Sequence, residues 1–341
     1  MKNIHNQTKQ LGISMVEVLV ALIISLFLLG GIVQVYVGNK TTFAFTSALA
    51  EIQENGRFAV DMMSQDLRLA GEWGCINFDP SDTSNVNNTL SAATMISPYN
   101  PILHDFESRD GIEGTENDGL NGSDSITIRG GKTVQANIVS PFSAAATPGI
   151  VSTRATSLDV NDILLIQRCG ANDLLIDEEA DILQVTGVDH SLAGSTKTGI
   201  TLSAPKSQQY QNDASLIELQ TVTYTIAAGA SGQPALWRAD FATNQELVEG
   251  VQEMQILYGI DTDIPGDQFP NRYVDSTLVG ANFQNVVAIR VMLLVRSIDD
   301  FVTEAPQTYT WIGGAPITAP DRRLYQVFSN TIALRNRIGS L

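Results

Sequence analysis

Two hydrophobic patterns follow one another along the first seventy residues. From Ile13 to Val37 the chain is almost uniformly apolar, and between Val18 and Val37 the strongly polar side chains are Ser25 and Gln34. About 20 such residues suffice for a helix to cross a bilayer. From Thr41 to Ala70 the pattern turns amphipathic. Phe45, Leu49, Ile52, Ala59, Met63 and Leu67 recur at helical spacing, while Glu51, Gln53, Glu54, Asp61, Gln65 and Asp66 fill most of the remainder. Gly71 then reads as the helix C-cap, with Arg68 in the last turn where a cation is favoured. Gly30, Gly31, Gly38 and Gly56 are weak points inside the helix. A continuous helix from Ile13 to Ala70 would be about 87 Å long at 1.5 Å per residue.

Beyond residue 72 the pattern changes to short β-prone runs. They fall at 125–129, 135–139, 163–168, 182–188, 199–202, 217–226, 235–239, 254–258, 286–296 and 326–335. Many alternate apolar and polar residues, as half-buried antiparallel strands do. The run 286–295 is more uniformly apolar and predicts a central strand. Residues 79–89 and 109–124 are polar and rich in turn formers, which predicts surface loops. The chain is therefore expected to be α+β, with one long N-terminal helix packed on an antiparallel β-sheet head. Its expected divisions are 1–12, a short basic leader; 13–37, the membrane half of the helix; 38–71, the amphipathic half; and 72–341, the head.

Charge narrows the function classes. Thirty-seven acidic residues against 20 lysines and arginines give a formal net charge of -17. Such a surface repels phosphate backbones, so nucleic acid is not an expected partner, although Arg322, Arg323, Arg335 and Arg337 cluster near the C-terminus. The histidines His5, His104 and His190 are far apart, and no nucleophile–base arrangement, glycine-rich phosphate loop or metal-ligand spacing stands out. Catalysis is not expected.

The start of the chain is the most specific segment. Residues 1–12 are polar, include Lys2 and Lys9, and hold no acid, so the N-terminus should stay cytoplasmic while the bulk is exported. An ordinary secretory signal fits poorly. The apolar run is too long, its end lacks a small-x-small cleavage site, and Glu17 lies inside it. A carboxylate there costs roughly 2.5–3.5 kcal/mol on insertion scales, so it needs a partner or a purpose. Gly12-Ile13-Ser14-Met15-Val16-Glu17 resembles the prepilin peptidase motif of the type IV pilin superfamily. The resemblance implies cleavage after Gly12, N-methylation of Ile13 (where the family usually has Phe or Met), and a role in assembly for Glu17. A buried Glu17 would pair with the N-terminal amine of a neighbouring subunit, each charge compensating the other in an apolar medium.

Further segments resemble the PilW family of type IV pilus minor pilins and, more distantly, the J-type pseudopilins of type II secretion. They are Glu54-Asn55-Gly56-Arg57-Phe58-Ala59, Asp66-Leu67-Arg68-Leu69-Ala70-Gly71 running to Gly74-Cys75, Leu247-Val248-Glu249-Gly250-Val251 to Leu257-Tyr258-Gly259-Ile260-Asp261, Val287-Ala288-Ile289-Arg290-Val291 and Ala333-Leu334-Arg335-Asn336-Arg337. The resemblance implies the type IV pilin fold and a subunit that helps prime pilus assembly within a tip-associated complex, supporting twitching motility and adhesion. A minor pseudopilin of type II secretion is the alternative. Implied partners are other minor pilins, the major pilin, a tip adhesin, the prepilin peptidase, the inner-membrane assembly platform and inner-membrane lipid. The implied location is a single pass in the inner membrane with a periplasmic head, then the surface fibre. Because tip-most subunits of the family tend to lack the glutamate that Glu17 supplies here, a place below the apex is implied.

Cys75 and Cys169 are compatible with one disulfide, or with two buried thiols; the exported location favours the disulfide. No cofactor is expected. Asp261, Asp263 and Asp267 resemble a degenerate calcium loop in which Pro265 replaces one expected ligand and Arg272 stands where a closing Glu belongs. Asp110, Glu113, Glu116, Asp118 and Asp124 form a second acidic loop. A solvated turn is the plain reading of both.

Overall fold

A computed structural model describes residues 14–74, 86–91, 106, 111–134, 138, 149–152, 158–168, 180–189, 197–203, 210, 214–241, 243–263, 266–280 and 282–337. Helix α1 runs unbroken from Met15–Arg68, 54 residues or about 81 Å. Its two halves behave as their patterns demand. Val18, Leu22, Leu26, Leu29, Val33 and Val37 are exposed on all sides, and the segment is long and apolar enough to cross a membrane. Further on, Ala48, Ile52, Gly56, Ala59, Met63, Ser64 and Leu67 are buried on one face. Burying side chains such as Ile52, Met63 and Leu67 contributes about 1.5–3 kcal/mol each. Phe45, expected in the stripe, is 38% exposed because the helix meets the head only about one turn later. The helix is capped by Leu69 in right-handed conformation, not by Gly71. Gly71, at φ +72°, belongs to the following turn and donates its N–H to Arg129 O at 2.9 Å.

The strands, in order, are β1 (Val86–Asn88), β2 (Ile112–Thr115), β3 (Ser125–Thr133), β4 (Gly149–Ser152), β5 (Ile163–Arg168), β6 (Ala180–Asp189), β7 (Lys197–Leu202), β8 (Ala214–Ala228), β9 (Pro234–Ala239), β10 (Asn244–Glu249), β11 (Val251–Ile260), β12 (Arg272–Val274), β13 (Val286–Arg296), β14 (Thr308–Thr310), β15 (Pro316–Thr318) and β16 (Tyr325–Ala333); a short helix α2 (Ser276–Val279) precedes β13. Among the described residues they form a ten-stranded sheet, a four-stranded sheet ordered β12-β11-β13-β16, and the hairpin β14–β15. The long β8 is the spine of the larger sheet. One of its edges pairs with β5 and then β9, the other with β3. Two segments expected as loops hold strands: β1, which pairs with β6, and β2, which pairs with β3. The β1–β6 pair is parallel, so the expected purely antiparallel head is a mixed one. Of the run expected at 135–139, only Ile138 is described; it is buried.

The four-stranded sheet carries the helix. Strand β13 is central, as its apolar run demands, and its alternation sorts two cores. Ile289, Val291, Leu293 and Val295 join the helix-side core with Ile52, Ala59, Met63 and Leu67, whereas Met292 and Leu294 pack outward against Trp311 and Tyr325 under the β14–β15 hairpin. Strand β5 is buried on both faces: Leu164 and Ile166 enter one core, Ile163 and Leu165 another.

Candidate functional site

At the start of α1 the sequence builds a capping box. Ser14 is the N-cap, its Oγ accepts the Val16 N–H at 3.3 Å, and Glu17 reaches back to accept the Ser14 N–H at 3.0 Å through Oε2. The Glu17 side chain is exposed, as are Val16, Val18 and Val20 around it in the sequence. The geometry satisfies an orphan donor of the helix end and leaves a negative charge available at the head of an apolar rod. Gly12 and Ile13 lie outside the described residues, as do Cys75 and Cys169.

The other end of α1 is fastened by contacts that span the whole head. Gly56 lies under the ring of Phe328 on β16, and a Cβ added there would approach the ring to 2.3 Å. Ser64 Oγ accepts from Asn330 Nδ2 at 3.0 Å. Asp66 Oδ2 accepts from Tyr224 Oη at 2.6 Å on β8 and from Arg238 Nε at 3.0 Å on β9. Burial first, then the Asp66 bond, raises the Tyr224 phenol above its ordinary value. Burial acts to lower the Arg238 guanidinium, but its bond to Asp66 prevails and raises it. Glycines let the backbones touch: Cβ atoms at Gly130 and Gly111 would meet Leu69 O at 2.2 Å and Gly71 N at 2.4 Å. Sequence reading classed Gly56 as a helix weakness and missed this seam. The one signal was that Gly56 and Asp66 stand in the two helix segments that carried the family resemblance.

The two acidic loops differ in kind. The carboxylates of Asp261, Asp263 and Asp267 come together, with ligand atoms within 4.8 Å of one another. Asp261 is buried and accepts from the N–H groups of Asp263 at 3.0 Å and Gln268 at 2.7 Å; Asp263 Oδ2 accepts from Asn271 Nδ2 at 3.1 Å. A calcium ion takes 6–8 oxygens, more than these three side chains supply one apiece. Among its described residues, the other loop does not gather its acids into such a group. Glu113 bonds the buried Arg129 at 2.7 Å, Glu116 accepts the Ser276 N–H at 2.7 Å, and Asp118 accepts from Ser125 Oγ at 2.7 Å. Asp124, 1% exposed, accepts from Ile256 N–H at 2.8 Å and Asn117 N–H at 3.2 Å, while its own N–H donates to Met254 O at 2.9 Å. It stitches the β2–β3 connection to β11. Burial pushes its carboxyl up to about 7, ahead of the two N–H bonds that lower it, and Glu116 raises it further. Tyr258, whose buried hydroxyl has no bonding partner among the described residues, is held well above its usual range by burial and then by Asp124, Glu116 and Asp118. Asp110 lies outside the described residues.

The basic residues near the C-terminus are partly absorbed into the fold. Arg322 donates to Thr303 O and lies over the Phe301 ring, and Arg323 donates to Ser297 O and pairs with Asp321 at 3.3 Å.

Residues 223–336 match the family model described as Type IV Pilus-assembly protein W. No curated protein and no solved structure matches the chain. The matched span begins on β8 beside Tyr224, takes in Arg238 and the whole four-stranded sheet, and ends past β16, so it holds the head-side partners of Gly56, Ser64 and Asp66. That match falls on the sheet that receives the apolar helix and supports a PilW-type type IV pilus protein.

Proposed function

We propose that this chain is a minor pilin that helps prime assembly of a type IV pilus and stays in the tip-associated complex, below the apex. The observation that carries the reading is the family match over the sheet on which α1 is seated. Three features support it. The first half of α1 presents apolar side chains on every side, as a segment held in a membrane or a fibre core does. Glu17 sits at the head of that segment, free to pair with the N-terminal amine of a neighbour once cleavage after Gly12 has exposed Ile13. The bulk of the head suits a subunit present in few copies, because it would crowd a lattice built of itself. In this reading the chain is inserted in the inner membrane with its head in the periplasm, is processed by the prepilin peptidase, and docks against other minor pilins and the major pilin.

A clean deletion in the native host, scored in parallel for surface pili and for secreted enzyme activity, tests this. Loss of pili with normal secretion is expected. Normal pili with lost secretion would move the chain to a type II secretion pseudopilin, and no change in either would sink both readings.

A further inference from the structure

Strand β16 closes the four-stranded sheet, and among the described residues no strand pairs with its outer edge. It pairs with β13 over nine residues in unbroken register. In an antiparallel ladder alternate residues turn both N–H and C=O to the same edge. Known bonds fix the phase. Arg296 donates its N–H to Gly250 O at 2.8 Å, toward β11, so its cross-strand partner Tyr325 turns its backbone groups away from β13. Both are taken by one side chain: Tyr325 N–H donates to Gln307 Oε1 at 2.8 Å, and Gln307 Nε2 donates to Tyr325 O at 2.9 Å. The Gln307 amide thus stands where a neighbouring strand's peptide would. The same phase turns the N–H and C=O of Val327, Ser329 and Thr331 outward. These residues are exposed, and among the described residues no backbone bond reaches those groups.

Edge strands of this length are ordinarily blunted by bulges, prolines or charged side chains. Strand β16, Tyr-Gln-Val-Phe-Ser-Asn-Thr-Ile-Ala, has none of these. It is held straight from the helix side by Phe328 on Gly56 and Asn330 on Ser64. Its charge surroundings are also specific. In a chain with 37 acidic residues, β13 and β16 contain none. Arg290, in register with Thr331, donates to its Oγ1 at 3.3 Å and stacks on the Tyr273 ring, while Arg335 stands exposed just past the strand. A second copy of β16 would bring no carboxylate to these arginines and would set two heads of net charge -17 side by side.

We propose that the outer edge of β16 receives an extended segment of another subunit, added as a fifth strand through Val327, Ser329 and Thr331, with an acidic side chain placed beside Arg290 and Arg335. Backbone bonds supply the affinity, and the arginines set register and select the partner. The inference rests on the assembly role proposed above and names the surface that performs it.

Ser329→Pro in the full-length chain tests it. The substitution deletes one outward N–H and leaves the bonds to β13 in place. The variant is expected to accumulate in the membrane like the wild type while surface pili fall about tenfold or more. Hydrogen exchange on the wild-type chain gives an independent reading. Comparing the chain alone in detergent with its membrane complex, the amides of Val327, Ser329 and Thr331 should slow about tenfold or more on assembly, whereas those of Phe328 and Asn330 should be slow in both. If Ser329→Pro does not accumulate, the exchange result decides. Normal piliation of Ser329→Pro in a host where deletion abolishes pili would overturn the edge proposal and leave the assembly role standing. Unchanged exchange at all three amides would do the same. A wild-type dimer in detergent that Ser329→Pro converts to monomer would overturn the choice of partner, assigning the edge to a second copy.

Discussion

Single residues decide how the helix meets the head. Gly56 is unfavourable for a helix by about 1 kcal/mol relative to alanine. Yet a methyl there would run into the Phe328 ring, and overpacking of this kind costs about 1–3 kcal/mol. Gly56→Ala should therefore lower stability by about 1 kcal/mol net in urea unfolding of the full-length chain in detergent micelles. In a Phe328→Ala background the sign should reverse, because only the helix propensity remains. A stabilising Gly56→Ala in the otherwise unaltered chain would show that the ring does not need the glycine.

At the scale of the element, α1 is one rod with two environments, and Glu17 has two duties in it. One is local, closing the capping box on Ser14; the other is the proposed pairing with a neighbour's amine. Glutamine closes a capping box as glutamate does but carries no charge. Glu17→Gln should insert and be processed normally yet fail to support pili, as counted by electron microscopy of the complemented deletion strain. Wild-type piliation with Glu17→Gln would mean that the cap is enough and that charge pairing is not the role.

For the molecule as a whole, the acidic stitch between the two sheets sets a pH dependence. Burial holds the Asp124 carboxyl at about 7 in the folded head, against an ordinary value of 3.8. The folded state therefore holds this proton more tightly than the unfolded chain does. Its stabilising contribution is complete below about pH 4 and is lost as pH rises through about 7, with a slope of at most about 1.4 kcal/mol per pH unit. The groups facing it are Glu116 and Asp118 from its own loop and Tyr258 from β11. The urea midpoint of the wild-type chain should fall from pH 5 to pH 8. Asp124→Asn should be less stable at pH 5, having lost one acceptor, and nearly flat across the range. A wild-type midpoint independent of pH would show that burial of Asp124 does not set the pH dependence of the fold.

What the sequence by itself determined was everything set by local periodicity. The uniform apolar run and the amphipathic stripe sufficed for a single long helix with an exposed and a buried half, because neighbours three and four apart share a face whatever lies across from them. The alternation in β8, the apolar excess of β13 and the pilus-family resemblance were equally legible. Tertiary structure decided the rest, because it depends on which distant segment arrives. Polar stretches became β1 and β2 only because β6 and β3 offered them a ladder. Gly71 lost the cap and gained a left-handed turn bonded to Arg129. Phe45 was left in the open because the head begins further along the helix. Gly56, Asp66 and Asp124 acquired their roles from a ring, a phenol and a strand brought from far along the chain. No period in the sequence could reveal these, since desolvation and close contact are properties of the assembled fold.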